Sequence, residues 1–182
     1  MQTIKFFLLF VFSGAVYSQS YDFSLQIKLS ALYAEQYQNN AFDKSFNIFP
    51  LGVYLVNKIK ISSDYSIEIC PGYFSGGENF SGIESGFYIR RNIYDDIIFA
   101  SAGINFHYNF GDSHGVQIFE VTPDGIFTNL GGSILMSLNK NISFLIAYFK
   151  PLNKDYGYSR ISGLEYKRSL EDILQTGIEF NF

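Results

Sequence analysis

The sequence of 182 residues has no tryptophan, one cysteine and four prolines. With Cys70 alone, an internal disulfide is excluded, so no covalent staple holds the fold. Charge is scarce as well. Asp, Glu, Lys and Arg make up 16% of the chain, against about 25% in an ordinary soluble domain. The 13 basic residues are outnumbered by 17 acidic ones and form no cluster. A nucleic-acid partner is therefore excluded, because phosphate recognition needs a basic face. Beyond the first 20 residues no segment is apolar for the roughly 18 residues of a membrane helix. What is abundant is apolar and aromatic: 47% hydrophobic, with 20 Phe and 14 Tyr. Such a chain is not disordered, and its length suits one domain.

Residues 1–20 read MQTIKFFLLFVFSGAVYSQS. One cation, Lys5, precedes an apolar stretch from Phe6 to Val16, and Val16 and Ser18 are placed as the −3 and −1 residues of a cleavage site. Residues 1–18 are read as a secretory signal peptide, too short in its apolar part to span a bilayer. Residues 19–182 are the expected mature chain, beginning at Gln19. No cysteine follows the signal, so no lipid anchor is expected.

The mature chain alternates with period two. Ile98, Ala100, Ala102, Ile104, Phe106, Tyr108 and Phe110 share one face. Phe99, Ser101, Gly103, Asn105, His107 and Asn109 share the other. Tyr65, Ile67, Ile69, Pro71 and Tyr73 alternate with Ser66, Glu68, Cys70 and Gly72. Six further strands are read around Phe23–Tyr33, Phe49–Lys60, Ile83–Arg90, Ile126–Leu138, Ile142–Tyr148 and Leu174–Phe182. That makes eight strands and no helix of any length. Their connections differ in a regular way. Residues 34–47, 111–125 and 151–169 are read as long loops, with a modest one at 74–80. The intervening turns, near 61–64, 91–96 and 139–141, are short. Short turns on one side and longer loops on the other are the asymmetry of an outer-membrane barrel. An even strand number then puts both termini on the periplasmic side.

Eight antiparallel strands also fit a soluble barrel or a sandwich. The apolar face decides between them. A soluble barrel turns it inward and shows charge outside. Here the polar face carries Gly, Ser, Asn and a few charges, which suits a narrow interior. The apolar face ends in aromatic rows, which suits two lipid–water boundaries. In hydrocarbon a sheet must close on itself to pair every backbone group. The fold expected is an all-β, eight-stranded antiparallel transmembrane β-barrel with up-and-down meander topology.

The last strand carries Thr176, Ile178, Phe180 and a C-terminal Phe182 in alternation. This resembles the C-terminal signature of bacterial outer-membrane barrels. With the eight strands and the loop asymmetry, the whole mature chain resembles the family of outer-membrane protein X and the barrel domain of outer-membrane protein A. The resemblance implies a monomeric barrel in the bacterial outer membrane with a structural, adhesive or envelope-protective role. Its partners would be outer-membrane lipid and, during biogenesis, the barrel-assembly machinery, for which Ile178, Phe180 and Phe182 would be the signal. No periplasmic domain is expected after Phe182. The alternatives are a small pore or a lipid-A-modifying enzyme.

No cofactor, metal or catalytic site is expected. A lipid A deacylase of this shape resembles a serine hydrolase, but position 109, two residues after inward His107, is Asn and not a nucleophile. Ser113 and His114 are adjacent in a loop and need not meet. His107 is read instead as part of a polar layer with Asn105 and Asn109. Asp112, Asp124 and Asp155 fall in outer loops of ordinary turn composition. Gly131 and Gly132 lie inside a strand and are read as easing curvature. The loop at 111–125 is the candidate for a surface partner, by strand addition. Alternation sends Lys28, Glu68, Glu84, Arg90 and Glu179 to the interior, where an unpaired charge is costly. Hairpin folding sets position 68 near position 88. Glu68 and Arg90 are therefore expected to pair, with Glu179 sharing the cation and with Lys28 and Glu84 further along the barrel.

Overall fold

A computed structural model describes residues 21–38, 41–76, 80–110, 120–121, 125–161 and 164–182. The signal-peptide reading, Asp112, Ser113, His114 and Asp124, and all of the candidate partner loop at 111–125 except residues 120, 121 and 125 lie outside the described residues. Ten strands follow in order: β1 (Tyr21–Gln38), β2 (Ala41–Lys60), β3 (Tyr65–Ser75), β4 (Ser81–Tyr94), β5 (Ile98–Asn109), β6 (Glu120–Val121), β7 (Gly125–Ser137), β8 (Ile142–Pro151), β9 (Asp155–Ile161) and β10 (Leu164–Asn181). Eight of them form the wall in the order β1-β2-β3-β4-β5-β7-β8-β10, and β1 pairs with β10 to close it. Every pairing is antiparallel.

Two segments read as loops are strand. Residues 34–38 continue β1 and residues 41–47 open β2, and the two strands stay paired as far as Gln38 and Ala41. Residues 155–161 and 164–169 form β9 and the start of β10. Asp155, read as a loop residue, opens β9. Outside the membrane neither face of a hairpin has to be apolar. The period-two signal therefore fades while backbone pairing goes on. β9 carries the path of β8 outward, and β6 pairs on its far edge through Glu120 and Val121. Among the described residues the wall therefore rises beyond β3, β4 and β5 on the side of β2, β1, β10, β9 and β6.

Within the membrane-facing part of the barrel, alternation carries through each of its eight strands. Outward positions include Ile27, Leu29, Val53, Leu55, Ile67, Ile89, Leu130, Ile134, Ile146 and Leu174, all exposed. Exposed Tyr21, Phe23, Tyr65, Tyr94 and Phe182 ring the end that holds the termini. Tyr73, Tyr108, Phe110 and Tyr148 ring the other. Among the described residues no charge stands on the outward face between these rows. Lys150 and Asp172 appear only beyond Tyr148, paired at 2.9 Å.

The interior is filled by side chains. Tyr54 and Tyr88 lie across it, and glycines make room for them. A Cβ at Gly72 would come within 2.3 Å of the Tyr54 ring, and one at Gly86 within 2.3 Å of the Tyr88 ring. Gly132 serves the wall itself, since a Cβ there would stand 2.3 Å from the Ser101 carbonyl oxygen. Val56, Cys70, Leu135, Leu145, Ala147 and Phe149 are buried with Tyr54 and Tyr88. Toward the outer end Phe74, Phe80 and Phe127 close the lumen together with Leu32, Leu170 and Ile173.

Candidate functional site

The polar interior divides into two centres. The first lies toward the termini. Glu68 stands opposite Tyr88 across the β3–β4 pair, so Arg90 is a diagonal neighbour. The Arg90 Nε lies 2.6 Å from a Glu68 oxygen, an ion pair without an aligned hydrogen bond. The two terminal guanidinium nitrogens donate to the two oxygens of Glu179, at 3.1 and 2.9 Å. Lys58 donates to Glu179 at 2.5 Å and to Asn181 at 2.9 Å, and Gln26 donates to the same carboxylate. Two cations and two carboxylates therefore balance. A bidentate guanidinium is the strong form of this contact.

Below this centre the barrel opens into a vestibule of about 770 Å³. Its floor includes Lys58, Arg90 and Glu179, and its rim includes Asp22, Lys60 and Lys140. Lys60 and Asp22 pair there at 3.2 Å, both half exposed. The vestibule therefore borders the ionic centre from the end that holds the termini, with the Lys58 side chain 10% exposed and that of Glu179 1% exposed.

The second centre is Glu84. Its carboxylate accepts from the Tyr54 hydroxyl at 2.6 Å, from the Asn105 amide at 3.0 Å and from His107 Nδ1 at 3.0 Å. Glu84 and His107 face each other directly across β4 and β5. The imidazole is fully buried. Phe80 stacks on it with centroids 4.1 Å apart, and Phe74 meets it edge-on at 5.7 Å. No serine hydroxyl is bonded to His107 among the described residues. Lys28 makes no ion pair among the described residues. Its ammonium lies 4.3 Å from the Tyr54 ring centroid, a cation–π contact.

The structure thus brings Glu68, Arg90 and Glu179 into one network and places Lys28 and Glu84 at the second centre. Lys58 was missed by the sequence reading. The signal for it was present, because Leu51, Val53 and Leu55 on one face of β2 put position 58 on the other. His107 was read as a member of a polar layer, and its bond to Glu84 was not foreseen. Ile178 and Phe180 line the outward face of β10, and Phe182, just past its end, packs on Phe23 at 6.0 Å.

A closed antiparallel barrel with an apolar exterior, aromatic rims and a filled polar interior is a transmembrane β-barrel. No protein-family model matches the chain, and no curated protein does. Among solved structures the chain is similar to Neisserial surface protein A, at 12% identity and a TM-score of 0.45, over 90% of this chain and 100% of that one. It is similar to the N-terminal β-barrel domain of Pseudomonas aeruginosa OprF, at 12% and 0.43, over 87% and 97%. It is also similar to the attachment invasion locus protein of Yersinia pestis, at 9% and 0.40, over 88% and 99%. At these identities and scores none of them speaks to a ligand or an activity of this chain.

Proposed function

We propose that this chain is a non-enzymatic protein of the bacterial outer membrane whose barrel anchors a one-sided β-sheet at the cell surface. The wall that rises past β3, β4 and β5 carries the reading. Its five strands lie in the order β2-β1-β10-β9-β6. β2 pairs with β3 only up to Leu51, opposite Ser75, so residues 41–50 pair on the β1 side alone among the described residues. An open edge of this length suits recognition by strand addition, in which a partner's extended backbone joins the sheet. The sheet lies opposite the termini, which face the periplasm. The barrel works as a monomer and as a plug. An eight-stranded lumen is just wide enough to be filled by side chains, and Tyr54, Tyr88 and Phe127 fill it.

Single cysteines test the location and orientation together. Native Cys70 is buried and stays silent. Tyr37→Cys, in the raised wall, should react with an impermeant maleimide on intact cells. Ser62→Cys, in a turn at the end of the barrel that holds the termini, should react only after the outer membrane is opened. Reversed labelling would refute the orientation. Recovery of the protein in the soluble periplasm would refute the anchor.

A further inference from the structure

The open edge of β2 restricts its own partner. Beyond the bulge where Leu29 still faces Leu51 and Ala31 faces Ile48, residues 41–48 run in unbroken register with Ala31–Gln38. Among the described residues their other side is unpaired, because β2 meets β3 no further out than Leu51. Pro50 has no N–H to give, and with the bulge beside it marks the lower limit of the usable edge. A row of free N–H and C=O groups of this length is a template for another chain.

Symmetry limits how a second copy can use that template. Two identical strands in an antiparallel ladder are related by a two-fold axis perpendicular to the sheet. The wall continues the barrel away from the membrane, so this axis lies parallel to the membrane plane. Turning the molecule about it puts the second barrel upside down, in a membrane that faces the first. Two upright copies in one membrane would instead meet with their β2 strands parallel, in a ladder that makes identical strands inequivalent. Within one membrane the barrel therefore stays a monomer. The heights fit as well. Val53 lies opposite Tyr73 of the outer aromatic row, and position 45 is eight residues further along β2 (53 − 45). At about 3.3 Å per residue and a tilt of about 40°, it stands about 20 Å beyond that row. Two such molecules joined there would hold their membranes apart without a clash.

The sequence of the edge matches itself in one register. A two-fold axis perpendicular to the sheet keeps each face on its own side, so opposed residues share parity and one residue faces its own copy. Centring on Lys44 would set like charges together. Centring on Phe46 would bring Pro50 into the ladder opposite Phe42. Centring on Ser45 sets Phe42 opposite Ile48 and Asp43 opposite Asn47, each on both sides of the axis, and leaves Pro50 outside. Lys44 then faces Phe46 of the other copy, while Glu35 stands opposite Lys44 on β1 as its counter-charge. Resting on strand addition at this edge, we propose that β2 adds the β2 strand of a second copy on an apposed cell surface, antiparallel and centred on Ser45, so that the raised sheet joins cell to cell. A single ladder of this length is weak, and many copies on two surfaces act together.

The test folds the full chain into phosphatidylcholine vesicles at several copy numbers, with folding of each sample verified by heat-modifiable migration on a gel. Wild-type vesicles should cluster, as read by light scattering, and more steeply than in proportion to copy number. Phe46→Lys sets a cation opposite Lys44 on both sides of the axis and should cut clustering about tenfold, since each ladder gains two like-charge pairs and many ladders act together. Adding Lys44→Glu to that variant should restore clustering. Ser45→Cys, carried on two differently tagged vesicle populations, should join them through a short bismaleimide, because directly opposed Cβ atoms are about 5 Å apart. Native Cys70 is buried and does not compete. Dispersed wild-type vesicles would overturn the proposal. So would clustering that a folded Phe46→Lys leaves unchanged, or clustered vesicles without the 45–45 link. Hydrogen exchange separates this failure from that of strand addition itself. Fast exchange at alternate amides of residues 41–48 in dispersed protein would leave the edge open to a different partner. Protection of all of them would show the edge already covered, and both readings would fall.

Discussion

The two halves of the lumen solve the same problem differently. Near the termini four charges are buried and each has an opposite partner: Lys58, Glu68, Arg90 and Glu179. That half opens on a vestibule, so solvent can help to stabilise what the pairs do not. In the outer half a single carboxylate, Glu84, is held by hydroxyl, amide and imidazole donors and is roofed by aromatic rings. A wet site can hold ion pairs, because water screens what is left over. Under the aromatic roof the carboxylate is held by fixed dipoles, with the buried Lys28 ammonium on the Tyr54 ring as the opposite charge nearby, and a donor lost there has no substitute.

The largest effect expected from breaking this contrast comes from Arg90→Met. It leaves Glu68 and Glu179 buried side by side, with Lys58 on Glu179 alone. Removing one partner of a buried pair costs about 3–5 kcal/mol, which urea unfolding of the detergent-folded protein would register. Combined with Glu68→Gln in a double-mutant cycle, it should show coupling well above error. Zero coupling would mean that water separates the two groups.

Tyr54→Phe is next. It removes one donor from Glu84 and should cost about 1.5–3 kcal/mol, the range for a hydrogen bond to a charged group. Salt sharpens the comparison. Going from about 0.1 to 1 M NaCl shortens the screening length from about 10 to 3 Å. The Arg90 effect should shrink with salt, because ions enter the vestibule. The Tyr54 effect should not. Equal salt dependence would show that the two halves are equally wet.

Lys58→Met should be milder than Arg90→Met, costing at most the about 1.5–3 kcal/mol of a hydrogen bond between charged groups. Glu179 keeps both bonds from Arg90, and the vestibule supplies water to the rest. A loss as large as that of Arg90→Met would put Lys58 at the centre of the network.

The smallest effect belongs to the raised wall. Asp155 pairs with Lys167 at 2.7 Å, with both side chains about half exposed, and accepts from Ser169 at 2.7 Å. Partial burial would raise its carboxyl, but the bonds from Lys167 and Ser169 outweigh it and hold the group below its ordinary value. Asp155→Asn should therefore cost about 0.2–1 kcal/mol at neutral pH, as exposed pairs do. A depressed carboxyl stabilises the fold above its unfolded value and stops doing so as pH falls through its lower folded value. The difference between wild type and variant should therefore vanish in acid. A difference that grew in acid would reverse the assignment.

Much of this architecture was legible in the residues. Ile98 to Phe110 and Tyr65 to Tyr73 alternate so cleanly that faces, strand direction and the inward charges follow from period two alone. The β3–β4 hairpin, with its modest connection, also set Glu68 beside Tyr88. The ends of the strands were not legible. Residues 34–38, 41–47, 155–161 and 164–169 lack the alternation because neither of their faces meets lipid. Their strand character comes from neighbours that are distant in sequence, such as Gln38 opposite Tyr166.

The sequence by itself therefore determined what lies in and what lies out, because lipid outside and a narrow lumen inside impose opposite chemistry on alternate residues. Tertiary structure decided which inward groups meet. Glu179 reaches Arg90 and Lys58 from strands far away along the chain, and closure of β1 on β10 is what sets those strands around one small lumen. No local pattern carries that information, since a cross-barrel contact depends on the register of every strand between the two residues.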